Sequence, residues 1–577
     1  MKKNILVLLV GCLPFLSSSQ TSLHKISESE KIQMPDYLRQ VSQFRTDAIT
    51  IPPVGAVRAS AEWEEIDALI VAWVSFPVIL KDIVRYAQDE TDVYIVCTDS
   101  STVINYLTLN GIPLTRVHYI IAPFNTIWCR DYGPWNIYSD DVDSLALIDW
   151  IYNRPRPKDD TVNSSIERFT GLPMYQTTVS PSNLIHTGGN FMADGLGTGF
   201  SSNLVVNENP THSIAEIDTI MKQFMGIDRY IKMNELPYDG IHHIDMHMKL
   251  LDEETILMGE YPAGVADGPG IEANLQTVLN TYNSPFGTPY KVVRIPMPPD
   301  ATGNYPNVGG DYRTYANAVF VNKTILLPTY AQQYDTTALR IWQEAMPGYR
   351  VIGIDCNSII TNLGAIHCIT KEVAAADPLL IVHQPLRDTY VTSSSYGIDA
   401  RIQHRSGIAN ATILYRTDTL QPYSSAIMTL TNPGNNTWSG AIPAQSAGTT
   451  VYYYIEVNAN SGKHQVRPLP APAGYWKFNV LLNTGISTLQ KSNTIFLGTA
   501  YPNPAEDVFV VPVKTDRTTL CSLELKNILG QHILSIYNGS VQGERSFFVN
   551  SGELKTGIYI IELKTEETVI KQKILIR

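Results

Sequence analysis

One cysteine of this chain lies in a context that suits a nucleophile. Cys368 belongs to the apolar stretch LGAIHCIT, residues 363–370. A free thiol has a pKa of about 8.5 and is mostly protonated at neutral pH, so a catalytic cysteine needs cationic or hydrogen-bonding neighbours. Taken alone, Cys368 fits a small buried hydrophobic residue better. Its interpretation therefore depends on polar groups elsewhere in the chain.

A carboxylate among aromatic residues is the second candidate. Asp131 follows Trp128 and Arg130 in the segment WCRDYGPW, residues 128–135, which comes after a predicted strand. A carboxylate beside aromatic rings can hold a planar cation by charge and by stacking. The alternative is a structural ion pair between Arg130 and Asp131, and the segment alone does not decide between the two.

A histidine and a second carboxylate lie two positions apart in GIHHIDMH, residues 240–247. On an extended backbone His243 and Asp245 would point to the same face, so acid–base and charge-binding groups could share a pocket. The histidines and the aspartate of this segment could instead bind a metal ion, but no HExxH helix or cysteine pair accompanies them. We therefore expect neither a metal nor another cofactor.

Arginines, glycines and an amide complete the set of polar groups. Arg154 and Arg156 alternate with prolines in YNRPRP, residues 152–157, which predicts a stiff extended segment that could receive a carboxylate; a solvated basic loop is the alternative. The glycine pair in residues 186–195 allows close backbone approach or a positive φ. Asn317 precedes an apolar strand and alone fits a turn residue. Two carboxylates, a histidine and a thiol are together the groups needed to attack a guanidinium carbon.

The elements that must position these groups alternate between strands and helices. Short apolar runs predict strands, and a helix is predicted over 77–88. The predicted strands cover residues 68–74, 92–97, 117–122, 144–149, 255–259, 318–321, 325–328 and 349–354. Such alternation indicates an α/β domain from about residue 58 to 380.

The start of the chain has the pattern of an export signal. Two lysines precede an apolar run that ends in small residues, which predicts a signal peptide over 1–19, and a polar, poorly ordered leader follows over 20–55. No later stretch reaches the roughly eighteen apolar residues of a membrane-spanning helix. The net charge of −12 argues against a nucleic-acid-binding surface. The scattered cysteines argue against a disulfide-stapled scaffold or a zinc site.

The length of 577 residues exceeds that of one compact core and predicts further domains. Short alternating strands separated by Gly, Pro, Asn and Ser clusters predict a small antiparallel β-sandwich over 386–481. A polar linker follows at about 482–493. Residues 494–577 are again β-rich and form a third predicted domain.

The ordered motifs resemble those of the guanidino-group-modifying superfamily. The branch that they resemble most contains the agmatine deiminases and the Porphyromonas-type peptidylarginine deiminases. The strings WxRDxGP, GGNxxxDG, HxD and IHCIT occur in the family's order between residues 128 and 370. The resemblance implies a five-bladed, pseudo-symmetric α/β propeller, the pentein fold, over residues 56–382.

The resemblance also implies roles for individual residues. Cys368 matches the nucleophile, His243 the general acid and base, and Asp131 and Asp245 the pair that holds the guanidinium group. Asn317 matches a further site residue of the peptidylarginine branch. The implied reaction is hydrolysis through a covalent thiouronium intermediate, which gives ammonia and either citrulline or, from agmatine, carbamoylputrescine.

Three residues bear on the choice of substrate. Arg154 and Arg156 match arginines that bind the carboxylate of a C-terminal arginine in the Porphyromonas-type enzyme, and Trp128 is a further expected substrate contact. These matches favour peptidyl arginine, preferably at a C terminus, although Gly133-Pro134 is closer to the agmatine deiminase motif. The alternatives are an exported agmatine or free-arginine deiminase and a catalytically silent surface-binding protein.

The regions after the catalytic domain carry their own resemblances. The sandwich resembles the immunoglobulin-like domain of the secreted peptidylarginine enzyme. The tail resembles the sorting domain of the type IX secretion system in its YPNP start at 501–504, its GIY turn at 557–559 and its KxK ending. The expected route is through the periplasm to secretion or outer-membrane surface attachment. The expected partners are arginine-bearing peptides or proteins and the secretion machinery, without nucleic acid or a membrane span.

Overall fold

A computed structural model describes residues 24–41, 49–482, 495–552, 554–566 and 568–577. The chain divides into two compact units, Met1–Val480 and Leu481–Arg577. The predicted signal peptide and most of the predicted linker lie outside the described residues. In the part of the chain that is described, no helix is long and apolar enough to cross a membrane.

Ten α-helices are present among the described residues, and all lie in the first unit. They are α1 (Glu28–Gln40), α2 (Pro77–Ala87), α3 (Ser100–Leu109), α4 (Cys129–Tyr132), α5 (Pro157–Asp160), α6 (Val162–Thr170), α7 (Leu204–Asn207), α8 (Ile214–Met225), α9 (Gly268–Thr281) and α10 (Gln332–Ala345).

The strands between residues 57 and 374 are short. They are β1 (Val57–Ala59), β2 (Ile66–Ala72), β3 (Asp92–Cys97), β4 (Val117–Ile121), β5 (Trp135–Ser139), β6 (Leu145–Asp149), β7 (Ile151–Tyr152), β8 (Met174–Gln176), β9 (Ile185–His186), β10 (Met192–Ala193), β11 (Thr198–Ser202), β12 (Arg229–Met233), β13 (Met248–Leu250), β14 (Thr255–Glu260), β15 (Lys291–Pro296), β16 (Val319–Val321), β17 (Thr324–Thr329), β18 (Arg350–Asp355) and β19 (Lys371–Ala374). The predicted strands and the predicted helix over 77–88 all correspond to observed elements.

Five sheets of this region share one construction. Their strand orders are β1-β5-β6-β8, β10-β11-β12, β13-β14-β15, β16-β17-β18 and β19-β2-β3-β4. Each contains an antiparallel pair followed by a parallel pair, as in β13, β14 and β15. Because parallel strands need a long crossover, a helix lies between the two parallel strands, for example α9 between β14 and β15. The region is therefore α/β, as predicted, while its arrangement as a five-bladed propeller remains a prediction.

The polar motifs occupy equivalent places in the five sheets. Each motif comes directly before the strand that opens the antiparallel pair: residues 129–132 before β5, 188–190 before β10, 244–246 before β13, 317 before β16 and 367–369 before β19. The buried strands fix the points at which these short turns end. Motifs far apart in the chain can therefore meet in one place.

The leader segment, defined here as residues 24–41, is ordered, so the prediction of a poorly ordered leader is wrong for this part. Ser27 and Glu30 form a capping box at the start of α1, in which each side chain accepts a hydrogen bond from the other residue's backbone N–H. Tyr37 and Val41 are buried in an apolar cluster with Ile151. These contacts stabilise a helix in an otherwise polar segment.

The rest of the first unit is antiparallel β structure. Its strands are β20 (Leu380–Val382), β21 (Tyr396–Gln403), β22 (Ile408–Arg416), β23 (Ser424–Asn432), β24 (Thr437–Ile442), β25 (Thr450–Ala459), β26 (His464–Arg467) and β27 (Trp476–Asn479). They follow the order β20-β21-β24-β23-β22-β25-β26, and β27 pairs with β25. The β-rich expectation is confirmed, and the immunoglobulin-like topology remains a prediction.

The second unit is a separate β domain. It contains β28 (Ile495–Leu497), β29 (Val508–Asn527), β30 (His532–Asn550), β31 (Gly557–Lys564) and β32 (Val569–Ile576). Their order is β28-β29-β31-β32, with β30 paired to β29. Alternating buried side chains of these strands form one apolar cluster of its own.

Candidate active site

Cys368 lies in a 3-10 turn directly before β19, and its side chain is fully buried. The Asn317 amide donates to the Cys368 sulfur at 3.2 Å, and the Cys368 thiol donates to Oδ2 of Asp245 at 3.5 Å. The Asn317 side-chain oxygen also accepts from the backbone N–H of His367 at 3.1 Å. Asn317 therefore fixes the turn and contacts the thiol at once.

His243 and Asp131 form the neighbouring pair. Nδ1 of His243 lies 3.5 Å from Oδ1 of Asp131, and both residues are buried. The extended backbone on which His243 and Asp245 would share a face is not present, because Asp245 lies in a 3-10 turn. The turn nevertheless brings His243 to Asp131 and Asp245 to Cys368, so the two predicted carboxylates belong to the same buried cluster.

The glycine pair permits this close packing. A Cβ atom added to Gly189 would lie 2.5 Å from Nδ1 of His243 and 3.1 Å from Oδ1 of Asp131. One added to Gly188 would lie 1.9 Å from the backbone oxygen of Arg130. Neither glycine has a positive φ. Of the two roles considered for the pair, close approach is therefore the one that the structure shows.

A residue without a predicted role, His24, lies in the middle of this cluster. Its ring stacks on Trp128 with centroids 4.0 Å apart and an interplanar angle of 6°. Its Nε2 hydrogen-bonds to Oδ2 of Asp131 at 2.5 Å, and its Nδ1 hydrogen-bonds to the Leu363 carbonyl at 2.7 Å. The ring also meets His243 edge-on at 5.2 Å. His24 thus occupies the space between the aromatic ring and the first carboxylate.

Both predicted substrate-binding arginines contact the leader segment. Nε of Arg154 donates to the backbone oxygen of His24 at 3.3 Å, and Nε of Arg156 donates to Glu30 at 2.6 Å. The prediction of an extended segment over 152–157 is wrong, because the Arg156 N–H turns back to the Arg154 carbonyl at 2.7 Å. Both arginines are buried, so a solvated loop is wrong as well.

A buried network supports Asp245 from behind. Nδ1 of His367 bonds to Oδ2 of Asp245 at 2.7 Å, and Nε2 of His367 lies 3.1 Å from both carboxylate oxygens of Glu62. Glu62 also pairs with Lys249, which is buried in β13. Sequence reasoning missed these groups. The available signal was a lysine and a histidine inside otherwise apolar runs, since a buried charge needs a partner.

The environment of the thiol favours its neutral form. Burial, and then the nearby carboxylates of Asp245 and Asp131, raise the pKa of Cys368 well above its usual value. Burial lowers the pKa of His243 to about 4. Burial alone would raise the pKa of Asp131, but contact with His24 and His243 outweighs it and holds this pKa below the usual range. A bound cation would favour the thiolate instead.

The histidines of residues 240–247 do not gather around one point. Among the residues that the structure describes, the group of three potential metal ligands is His24, Asp131 and His243, with ligand atoms within 4.8 Å of one another. In this group His24 already bonds directly to Asp131. One member of the group therefore comes from the leader segment and not from the histidine motif.

Two family models match the chain. Residues 58–373 match the model of the Porphyromonas-type peptidyl-arginine deiminases. Residues 499–577 match the model of a secretion system C-terminal sorting domain, which is the type IX domain expected from the sequence. This second match indicates secretion.

Relatives and solved structures agree with the first match. A protein of Vibrio parahaemolyticus with the provisional name agmatine deiminase is 26% identical over 288 residues, which are 45% of this chain and 78% of that protein. A protein of a Marinomonas species with the same provisional name is 22% identical over 356 residues, 56% of this chain and 96% of its own. A crystal structure from Porphyromonas gingivalis, provisionally named arginine deiminase, aligns with a TM-score of 0.50 at 22% identity over 56% of this chain and 99% of that chain. This last likeness concerns the fold.

Proposed function

We propose, since the chain belongs to the Porphyromonas-type peptidyl-arginine deiminase family, that it hydrolyses peptidyl arginine to peptidyl citrulline and ammonia. Members of this group are guanidino-modifying hydrolases that act on C–N bonds of amidines. The observation that carries the proposal is the contact of the Cys368 thiol with Asp245 and Asn317 beside the pair of Asp131 and His243.

The proposed reaction begins with recognition of a planar cation. Asp131 and Asp245 accept hydrogen bonds from the guanidinium N–H groups. The guanidinium stacks on the face of the Trp128 ring that His24 covers in this structure. The positive charge lowers the cost of forming the Cys368 thiolate between the two carboxylates. Substrate binding and thiol activation are therefore one event in this proposal.

Two chemical steps follow. The sulfur adds to the guanidinium carbon, and His243 passes the thiol proton to a terminal nitrogen, so the C–N bond breaks and ammonia leaves. The product of this step is a covalent thiouronium. Water then adds to the same carbon and gives one proton to His243, the C–S bond breaks, and the ureido product leaves with the oxygen of water. The second proton of the water is released to solvent, where it converts ammonia to ammonium. The sulfur regains its proton from His243.

Peptidyl arginine is the proposed substrate class because the pocket contains a group for the main chain. Arg154 bonds to a backbone carbonyl oxygen beside the pocket, and the same guanidinium could bind one oxygen of a C-terminal carboxylate. Agmatine has neither a backbone carbonyl nor a carboxylate. Agmatine deimination is the second candidate, supported by the provisional names of the relatives. A catalytically silent protein would not need the thiol contacts of Asn317 and Asp245.

Colorimetric measurement of ureido product tests the proposal. The assay uses a peptide ending in arginine, a peptide with internal arginine, and agmatine, each with the full chain and with the variant His24→Ala described below. We expect the highest kcat/KM with the peptide ending in arginine, and Cys368→Ser should abolish turnover with unchanged thermal unfolding. Turnover of agmatine alone would overturn the substrate class, and a fully active Cys368→Ser would overturn the mechanism.

Localisation follows from the tail. We propose that the second unit directs the chain through the type IX machinery and that the protein ends attached to the outer-membrane surface, after export through the periplasm by the predicted signal peptide. The match over 499–577 supports this route. The expected protein substrates would then be extracellular.

A further inference from the structure

The leader segment fills the pocket with a group that imitates a guanidinium. A guanidinium is planar and cationic, stacks on aromatic faces and bonds to carboxylates. The His24 ring is planar, stacks on Trp128 at 4.0 Å and bonds to Asp131 at 2.5 Å. It also lies edge-on to His243, the proposed general acid and base. The contacts of His24 with Trp128, Asp131 and His243 are therefore ones that the proposed mechanism assigns to a substrate arginine, while its Nδ1 bonds to the Leu363 carbonyl.

The backbone of the leader is held as well as the side chain. Arg154 donates from Nε to the carbonyl oxygen of His24 at 3.3 Å. The pocket therefore holds His24 by its main chain as well as by its side chain. The site thus binds a peptide residue, with its side chain in the pocket and its carbonyl on an arginine.

Further along the leader, a second anchor secures it. Glu30 accepts from Nε of Arg156 at 2.6 Å, and the capping box with Ser27 keeps that carboxylate at the start of α1. Tyr37 and Val41 then bury apolar surface with Ile151. Because these contacts cover about three turns of helix after His24, the leader does not depend on the pocket alone for its position.

Occupancy by His24 closes the pocket to other ligands. Cys368 and His243 are each 0% exposed, as is His24 itself. A Cβ atom on Gly364 would lie 2.5 Å from Trp128 and 3.1 Å from Nδ1 of His24, so the ring fits without spare space. An imidazole offers no guanidinium carbon and no leaving amine to the thiol. The leader can therefore occupy the site without being converted.

We propose that residues 24–41 act as a pseudosubstrate, with His24 in the place of the substrate arginine, and that the enzyme is inactive until this segment leaves the pocket. The proposal rests on the proposed function, because that function identifies the pocket as the site of catalysis. The pseudosubstrate proposal also adds detail to the proposed function, since residues 24–41 show the pocket binding a peptide by side chain and main chain together.

Alkylation of Cys368 tests the proposal without depending on any substrate. The full chain and its variants react with 2-chloroacetamidine, a small cationic amidine, and the modified residue is located by peptide mass spectrometry. His24→Ala removes the stack and the bond to Asp131, and Lys31→Ala is the matched control, because Lys31 lies on the same helix with its side chain 51% exposed. Cys368→Ser shows which part of the signal belongs to this thiol.

We expect alkylation of Cys368 to be at least about tenfold faster in His24→Ala than in the wild type, because opening the pocket raises the competent fraction. Lys31→Ala should match the wild type. Glu30→Gln, which weakens the second anchor, should give an intermediate rate and serves if His24→Ala fails to fold. Equal rates in all four folded proteins would overturn the pseudosubstrate proposal.

The ureido assay separates this proposal from the proposed function. Faster alkylation in His24→Ala, with no turnover of any arginine substrate, would leave the pseudosubstrate in place and overturn the function. High turnover by the wild type, with no gain in His24→Ala, would support the function and overturn the pseudosubstrate. We expect the alkylation rate of Cys368 and the turnover of arginine substrate to rise together in His24→Ala.

Discussion

His367 is the residue that fixes the direction of the Asp245 carboxylate. It lies between two carboxylates, with Nδ1 at 2.7 Å from Asp245 and Nε2 at 3.1 Å from Glu62. Asp245 in turn accepts a hydrogen bond from the Cys368 thiol. His367 touches neither the thiol nor the proposed substrate position through its ring, so it is a positioning residue. Its two nitrogens have separable tasks, orientation of Asp245 and connection to Glu62.

A pair of substitutions separates these tasks. In His367→Asn the amide nitrogen can replace Nδ1 and keep the bond to Asp245, whereas in His367→Gln it can replace Nε2 and keep the bond to Glu62. We expect kcat to fall by about a hundredfold in the Gln variant, because a carboxylate displaced by about 1 Å no longer orients the substrate. The Asn variant should retain much more of kcat. Equal kcat values at equal thermal stability would contradict a positioning role.

The predicted site residues lie in the motifs of the sequence analysis, and the missed ones do not. Cys368, Asp245 and Asn317 were predicted from motifs, and the structure places them in mutual contact. Their catalytic roles stay predictions. Glu62 and His24 had no such signal, because neither belongs to one of these motifs. Their contacts with His367 and Asp131 become visible only in the folded chain.

At the level of elements, the 3-10 turn Gly188–Asn190 sets how closely three motifs approach. We expect Gly189→Ala to displace His243, because the new methyl group would lie 2.5 Å from its Nδ1. The predicted loss is about a hundredfold in kcat and about 1–3 kcal/mol in the free energy of unfolding. Gly397→Ala is the matched control, since a Cβ atom there meets nothing within 4 Å. Enzyme kinetics and urea denaturation measure both effects, and equal activity of the two variants would contradict the steric argument.

The sequence predicted regular elements better than the turns between them. The strand predicted over 92–97 coincides with β3, since its short run of apolar residues is mostly buried. Residues 152–157 were predicted to be extended, but they turn, and Arg154 and Arg156 contact the leader segment there. Helix α1 was missed because only a few of its side chains are apolar and buried.

For the first unit as a whole, acid stability depends in part on histidines that are buried without charge. His383 follows β20, bonds to the carbonyl of Asp399 at 2.8 Å and to the hydroxyl of Tyr453 at 3.0 Å, and has its pKa lowered to about 4 by burial. In the unfolded chain a histidine titrates near about 6.5. The folded state binds the proton less readily, so this contribution to stability is complete above about pH 6.5 and is lost as the pH falls towards about 4.

The comparison of His383→Gln with the wild type isolates this contribution. Urea denaturation between pH 4 and 7 should show that the wild-type free energy of unfolding falls more steeply with acid, by up to about 1.4 kcal/mol for each pH unit of that window. His464→Gln, at an exposed histidine, is the control and should run parallel to the wild type. If the free energy of unfolding of His383→Gln also ran parallel to that of the wild type between pH 4 and 7, this would contradict the contribution of His383 to acid stability.

The pairing of β19 with β2, near the opposite ends of the α/β region, has a consequence for synthesis. β19 joins β2 in one sheet, with Lys371 opposite Ile70, and Cys368 comes just before β19. A nascent chain that has not yet reached residue 371 cannot complete this sheet. Cys368 and the strand that follows it therefore leave the ribosome together, after the segments bearing Asp131, His243 and Asp245. The thiol is made when Asp245 and Asn317, the side chains that it contacts, already exist.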